Sequence, residues 1–168
     1  MKRYLAASLM LSGLSLLGVS PAGAKVLASK SWGPITNIDN NVSLGSASGT
    51  TGWRDDFGDQ IYVDFSSVKD RKVNSHATYG QVDWAFNGSY CYVSGISEGG
   101  GSISCNSGWY GDGSNQTSRT NAEINPAELR KNLKLTADSA RAGSKVCEDR
   151  GTFGRDKCSA QKIIGFSY

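Results

Sequence analysis

The stretch Val82-Asp83-Trp84-Ala85-Phe86-Asn87-Gly88-Ser89-Tyr90-Cys91-Tyr92-Val93-Ser94 decides the fold class, because apolar residues alternate with others on both sides of an Asn-Gly pair. Alternation at period two marks a half-buried strand. Asn-Gly is the preferred pair for a two-residue type I′ turn, in which both central residues need φ > 0. This reading predicts a hairpin with Phe86 facing Ser89, Trp84 facing Cys91 and Val82 facing Val93. Val82, Trp84, Phe86, Cys91 and Val93 then form the core face, and Asp83, Ala85, Tyr90 and Tyr92 the opposite one.

Outward from the hairpin, Ile61-Tyr62-Val63-Asp64-Phe65 alternates in the same way. Ile163 to Tyr168 reads as a C-terminal strand with Ile164, Phe166 and Tyr168 aligned, and a further strand is expected from about Asn132 to Cys147. One short helix is expected from Pro126 to Asn132, with Asn125 as N-cap, Pro126 at the first helical position and Glu128 three residues after the cap. Twenty-one glycines against three prolines describe a chain of tight turns. The expected fold is all-β, a small antiparallel β-sandwich with that one helix.

The first 24 residues read as a secretory signal: Lys2 and Arg3, an apolar run from Leu5 to Val19, then Ala22-Gly23-Ala24 as a small-x-small cleavage site. Gly13, Gly18 and Pro21 make the run too short and too interrupted for a membrane span. Removing residues 1–24 from the 168-residue chain leaves 144, one domain's worth, and lowers the formal charge from +3 to +1, since Lys2 and Arg3 leave with it. Such a balance gives no case for nucleic acid or an anionic membrane, which call for a basic stripe.

Residues 25–52 hold isolated apolar residues (Val26, Leu27, Trp32, Ile35, Ile38, Val42, Leu44) in Ser, Gly, Thr and Asn, ending in Gly45-Ser46-Ala47-Ser48-Gly49-Thr50-Thr51-Gly52. This reads as a flexible N-terminal arm, either a first strand with a loose loop or a segment that docks on a partner by strand addition. Residues 53–168 form the disulfide-stapled β domain.

The four cysteines lie in the exported part, where an oxidising environment lets them pair. Four cysteines allow three connectivities. Pairing of sequence neighbours is the most economical, Cys91 with Cys105 and Cys147 with Cys158, each worth on the order of 3 kcal/mol through the unfolded chain. No zinc-type spacing is present, and no metal or cofactor is expected.

Catalytic constellations are sparse. The single histidine, His76, lies in a polar segment without a Gly-x-Ser-x-Gly elbow elsewhere, so it reads as an exposed loop residue. Asp55, Asp56, Asp59, Asp64 and Asp83 read as turn and surface carboxylates, with a carboxylate-based hydrolase as the competing possibility. Asp55-Asp56-Phe57-Gly58-Asp59 and Gly111-Asp112-Gly113-Ser114-Asn115 lack the later acids of a calcium loop. The glycosylation triplets at Asn41, Asn87 and Asn115 are frequent by chance in such a chain.

Aromatics remain: Tyr90 and Tyr92 on the non-core face, Trp109-Tyr110 in a Gly/Asn/Ser-rich stretch, and Trp32 in the arm. Flat rings beside short polar residues suit sugar-binding and protein-binding surfaces. The same rings also suit burial under a second sheet. A protein partner is expected, with a glycan as the alternative.

The text Ala140-Arg141-Ala142-Gly143-Ser144-Lys145-Val146-Cys147-Glu148-Asp149-Arg150, then Asp156-Lys157-Cys158-Ser159 and the ending Phe166-Ser167-Tyr168, resembles the end of small secreted actinobacterial two-disulfide β-proteins. These include adaptor subunits of umbrella-shaped interbacterial toxin particles. The resemblance implies a compact β domain that joins a lectin subunit to a scaffold, with an N-terminal extension inserted into the scaffold. The reading is a secreted, non-catalytic binding or adaptor module; a carbohydrate-binding or enzyme-inhibiting module and a small hydrolase or toxin are the alternatives. Intact-mass measurement of protein from the culture medium should give a chain starting at Lys25, and a form still carrying Met1 would contradict secretion by this route.

Overall fold

The computed structural model describes residues 25–55, 59–72, 76–97, 100–124, 126–152 and 154–168, with backbone only at 25, 94–97 and 100. The expected signal segment 1–24 lies outside the described residues, as do Asp56 and Asn125. Ten strands follow in chain order: β1 Lys25–Asp39, β2 Val42–Asp55, β3 Asp59–Asp70, β4 Thr78–Ser97, β5 Gly100–Gln116, β6 Glu123–Ile124, β7 Ala127–Asn132, β8 Ala137–Glu148, β9 Lys157–Cys158 and β10 Lys162–Ser167. They form two antiparallel sheets. Sheet A runs β1-β2-β3 with β6 and β7 both paired to β3, and sheet B runs β10-β8-β4-β5 with β9 paired to β8. One core lies between them: Trp32, Ala47, Ile61, Val63, Phe65 and Val68 from sheet A meet Val82, Trp84, Phe86, Ala140, Ala142, Val146 and Ile164 from sheet B.

The all-β expectation holds, but the hairpin at Asn87-Gly88 does not form. β4 continues straight through that pair, with Asn87 opposite Trp109 and Gly88 opposite Gly108. On its other side β4 pairs with β8 from Thr78 to Gly88. Gly88 is there for closeness: a Cβ at this position would lie 2.2 Å from the Thr136 carbonyl oxygen. The type I′ signal is outweighed because an unbroken β4 satisfies ladder groups on both sides, where a turn would satisfy one pair. The two-residue turn with both φ positive falls instead at Asn40-Asn41 (φ 50° and 65°), between β1 and β2.

Without the turn, every residue after Gly88 changes face relative to the expectation. Val82, Trp84 and Phe86 are fully buried as read, each worth about 1.5–3 kcal/mol of apolar transfer. Cys91 and Val93 are exposed rather than in the core, and Tyr90 and Tyr92 share the parity of Trp84 and Phe86.

The expected helix at Pro126 to Asn132 is a strand. β7 pairs with β3 from Phe65↔Ala127 to Gln60↔Asn132, with every second residue turned inward. Seven residues are too few to sustain a helix alone, whereas β3 offers an open edge. The strand expected from Asn132 begins later, at Ala137.

The expected flexible arm is β1 and most of β2, paired from Lys25↔Asp55 to Asp39↔Val42. Leu44 and Ala47 are buried, and Trp32 is 6% exposed, with its Nε1 donating to Thr51 Oγ1 at 3.0 Å and its ring edge-on to Phe65 at 5.4 Å. The Gly/Ser run is therefore not a linker. A Cβ at Gly49 would meet the Trp32 ring at 2.9 Å, so small residues let rings and neighbouring strands close over β2.

Both disulfides join sequence neighbours, Cys91 with Cys105 and Cys147 with Cys158. Polar ties between the sheets lie near the second: Asn37 Nδ2 donates to the Lys157 carbonyl at 2.7 Å, Arg150 reaches Asp39 at 2.9 Å, and Lys157 pairs with Asp39. The Lys157 and Arg150 hydrogen bonds hold the Asp39 carboxyl below its ordinary value of 3.8. Its stabilising share is present above pH 3.8 and lost as the pH falls below it. Thermal melts of Asp39→Asn should lie below wild type at neutral pH and converge with it on acidification below pH 3.8.

Candidate functional site

β8 begins at Ala137, opposite Gly88 of β4. Beyond that point, among the described residues, β4 and β5 form a ladder with each other alone, paired from Ser89↔Ser107 to Ser97↔Gly100. The result is a two-stranded ribbon projecting from one end of the core. Such a pair is marginal alone. The Cys91–Cys105 bond staples it at directly opposed residues.

Strand alternation gives the ribbon two unlike faces. On one, rings run outward from the core: Phe86, fully buried, lies 6.2 Å from Tyr110, Tyr110 lies 4.9 Å from Tyr90, and Tyr90 stacks at 6.4 Å on Tyr92, which is 48% exposed. On the other, Val93 and Ile103 sit directly opposite each other beside the disulfide, 60% and 73% exposed. Leu135, fully exposed, lies at the ribbon's foot, where Thr136 accepts a hydrogen bond from the Ser89 N–H at 3.0 Å.

The sequence-derived binding residues divide three ways. Tyr90, Tyr92 and Tyr110 come together in the row. Trp109 turns to the opposite face, the Arg141 guanidinium lying 4.3 Å from its ring centre. With Asp83, Gln161 and Ile163 these two line a cleft of about 220 Å³ on the outer face of sheet B. Trp32 is a core residue, which corrects its place among surface aromatics.

Sequence reading missed Val93, Ile103, Leu135 and Arg141. The signal for the first two was the Cys91–Cys105 pairing, which sets Val93 opposite Ile103 if the two stretches run antiparallel.

Among the described residues, the candidate carboxylates Asp55, Asp59, Asp64 and Asp83 do not gather at one site. Asp55 and Asp59 pair across the β2–β3 connection. Asp64 lies on the outer side of sheet A and Asp83 on the outer side of sheet B. Burial, then the neighbouring Glu128, raises the Asp64 carboxyl above its ordinary value. Glu128, opposite Asp64, is held by the Arg54 fork at 2.7 and 3.2 Å and by Arg130. Asp83 accepts from Lys145 and Gln81, each at 2.8 Å, and from Gln161. Asp112, in the second calcium-like stretch, is ion-paired with Lys131 at 2.8 Å and Lys134 at 3.2 Å. His76 lies in the connection before β4, close enough to Asp149 to lower that carboxyl, after the Gly151 N–H and Arg119.

Among the described residues no helix is long and apolar enough to cross a membrane, and no cluster of metal-ligating side chains occurs. The two disulfides point to an oxidising environment. Compared with known proteins, the chain matches no family model, no curated protein and no solved structure.

Replacing Cys91 and Cys105 together by Ser should leave the melting transition of the core cooperative but loosen the ribbon. Hydrogen exchange at the Tyr90 and Tyr92 amides should rise by on the order of 100-fold, while Val82 to Phe86 keep their protection.

Proposed function

We propose that this is a secreted, non-catalytic binding or adaptor module of an extracellular assembly, with the β4–β5 ribbon as the element that meets a protein partner. The observation that carries the reading is the exposed Val93–Ile103 pair beside the Cys91–Cys105 staple, on a ribbon whose other face is a row of tyrosines. A rigid projection with exposed apolar and aromatic side chains lowers the ordering cost of association and supplies the ring surface that interfaces use. The disulfides and the charged start Lys2-Arg3 before an apolar run support export. The C-terminal resemblance to adaptor subunits of umbrella-shaped toxin particles fits this role. In such a role partner contact falls to the ribbon, because β1 and β2 supply core residues of the domain and are not spare for insertion elsewhere.

The cleft of Trp109, Arg141, Asp83 and Gln161 favours a second reading, glycan binding. A ring platform flanked by hydrogen-bond donors and acceptors is what a sugar ring requires.

Purification of the native protein from the culture medium, with identification of what accompanies it, tests the first reading. A glycan array with wild type and Trp109→Ala tests the second. Val93→Glu and Ile103→Glu should change stability by no more than about 0.5 kcal/mol and weaken partner association at least about tenfold. His76→Ala and Asp64→Asn should leave biological activity unchanged; its loss with fold and association intact would replace this reading with an enzyme.

A further inference from the structure

We infer that two copies of this chain join edge to edge along β4, through Tyr90 to Ser94, across a twofold axis at Tyr92. Two independent observations converge on that stretch.

The first is an open edge with defined polarity. In an antiparallel strand alternate residues direct both backbone groups to the same side. Thr78 and Gly80 of β4 bond toward the β5 side, through Thr120 and Thr117, whereas the Ser89 N–H bonds to Thr136 on the β8 side. Cys91 and Val93 share the parity of Ser89. Their N–H and C=O groups therefore aim at an edge along which β8 no longer runs.

The second is the lack of a guard along the paired length. Proteins protect long strand edges with Lys, Pro or inward charges. Residues 90–94 contain no Lys, Arg, Asp, Glu or Pro, and Glu98 comes only after that length. A second copy carries the same net charge as the first, so it approaches with least repulsion where the strand is neutral. A twofold joint also requires a self-complementary surface. Antiparallel pairing centred on Tyr92 meets this: Cys91 bonds to Val93 of the second copy and Val93 to its Cys91, with the two Tyr92 residues opposed between them.

The joint merges the tyrosines of both ribbons into one row, so the surface offered to a partner is built by two copies.

Sedimentation velocity over a concentration series should show a concentration-dependent dimer. Opposed residues in a non-hydrogen-bonded antiparallel pair have Cα atoms about 4.5 Å apart, within disulfide reach. Tyr92→Cys should accordingly form a covalent dimer on a non-reducing gel, with peptide mapping finding Cys91–Cys105 retained. Tyr92→Lys, which opposes two like charges and removes the ring pair, should weaken self-association about tenfold, while Ile103→Lys on β5 should leave it unchanged. A wild-type monomer throughout the series, a Tyr92→Cys protein that stays uncrosslinked, or a dimer equally affected by both lysine variants would overturn the joint. No partner enters these measurements, so their failure leaves the adaptor reading standing, and failure to find a partner leaves the joint standing.

Discussion

One strand, β4, sets the rest of the molecule. Its twenty residues run without a turn, and from Val82 to Val93 successive side chains alternate between the two faces of the sheet. Where sheet A covers it, Val82, Trp84 and Phe86 face inward and are sealed by Val63, Phe65 and Val68. Where the cover ends, the same parity delivers Tyr90 and Tyr92 to a free surface. The core and the candidate interface are thus two lengths of one ladder.

Closure of the second sheet over β4 requires backbones and rings to approach closely. Glycines on both sheets permit this: a Cβ at Gly80 of β4 would lie 2.7 Å from the Phe65 ring, and one at Gly45 of β2 would lie 2.7 Å from the Thr78 side chain. Polar ties then fix the rims. Asp39 at the end of β1 is held by Lys157 and Arg150 from the chain around β9, and Tyr79 donates to Asp156 at 2.5 Å. Burial and that hydrogen bond push the Tyr79 hydroxyl well above its ordinary value, so it stays a donor at any physiological pH. The Cys147–Cys158 bond lies beside this cluster and holds β9 to β8.

Several carboxylates are held in ion pairs: Asp83, Asp112, Glu128 and Asp39 each accept from cationic side chains. On the ribbon and at its foot, large exposed side chains are apolar or aromatic: Val93, Ile103, Tyr92 and Leu135. Surfaces of that composition gain free energy by being covered, which is the chemistry of association.

Local alternation was enough to determine strands at Ile61 to Phe65, Val82 to Phe86 and Ile163 to Tyr168 and an all-β class, and short loop closure favoured neighbour disulfides, because both are properties of nearby residues. Sequence offered Tyr90, Tyr92, Trp109 and Tyr110 as candidates, but neither the parity that Tyr90 and Tyr92 share with Phe86 nor the turning of Trp109 away from the tyrosines was legible. Three things were decided only by tertiary structure. Asn87-Gly88 stays extended because β5 and β8 bind β4 on both sides, and a glycine is needed where Thr136 crosses. Pro126 to Asn132 becomes a strand because β3 offers an edge that a seven-residue helix cannot outcompete. Residues 25–52 become two strands because Trp32 finds Phe65 and Thr51 across the sheet. In each case a distant partner supplies hydrogen bonds and apolar area larger than the local preference, and no window of neighbouring residues contains that partner.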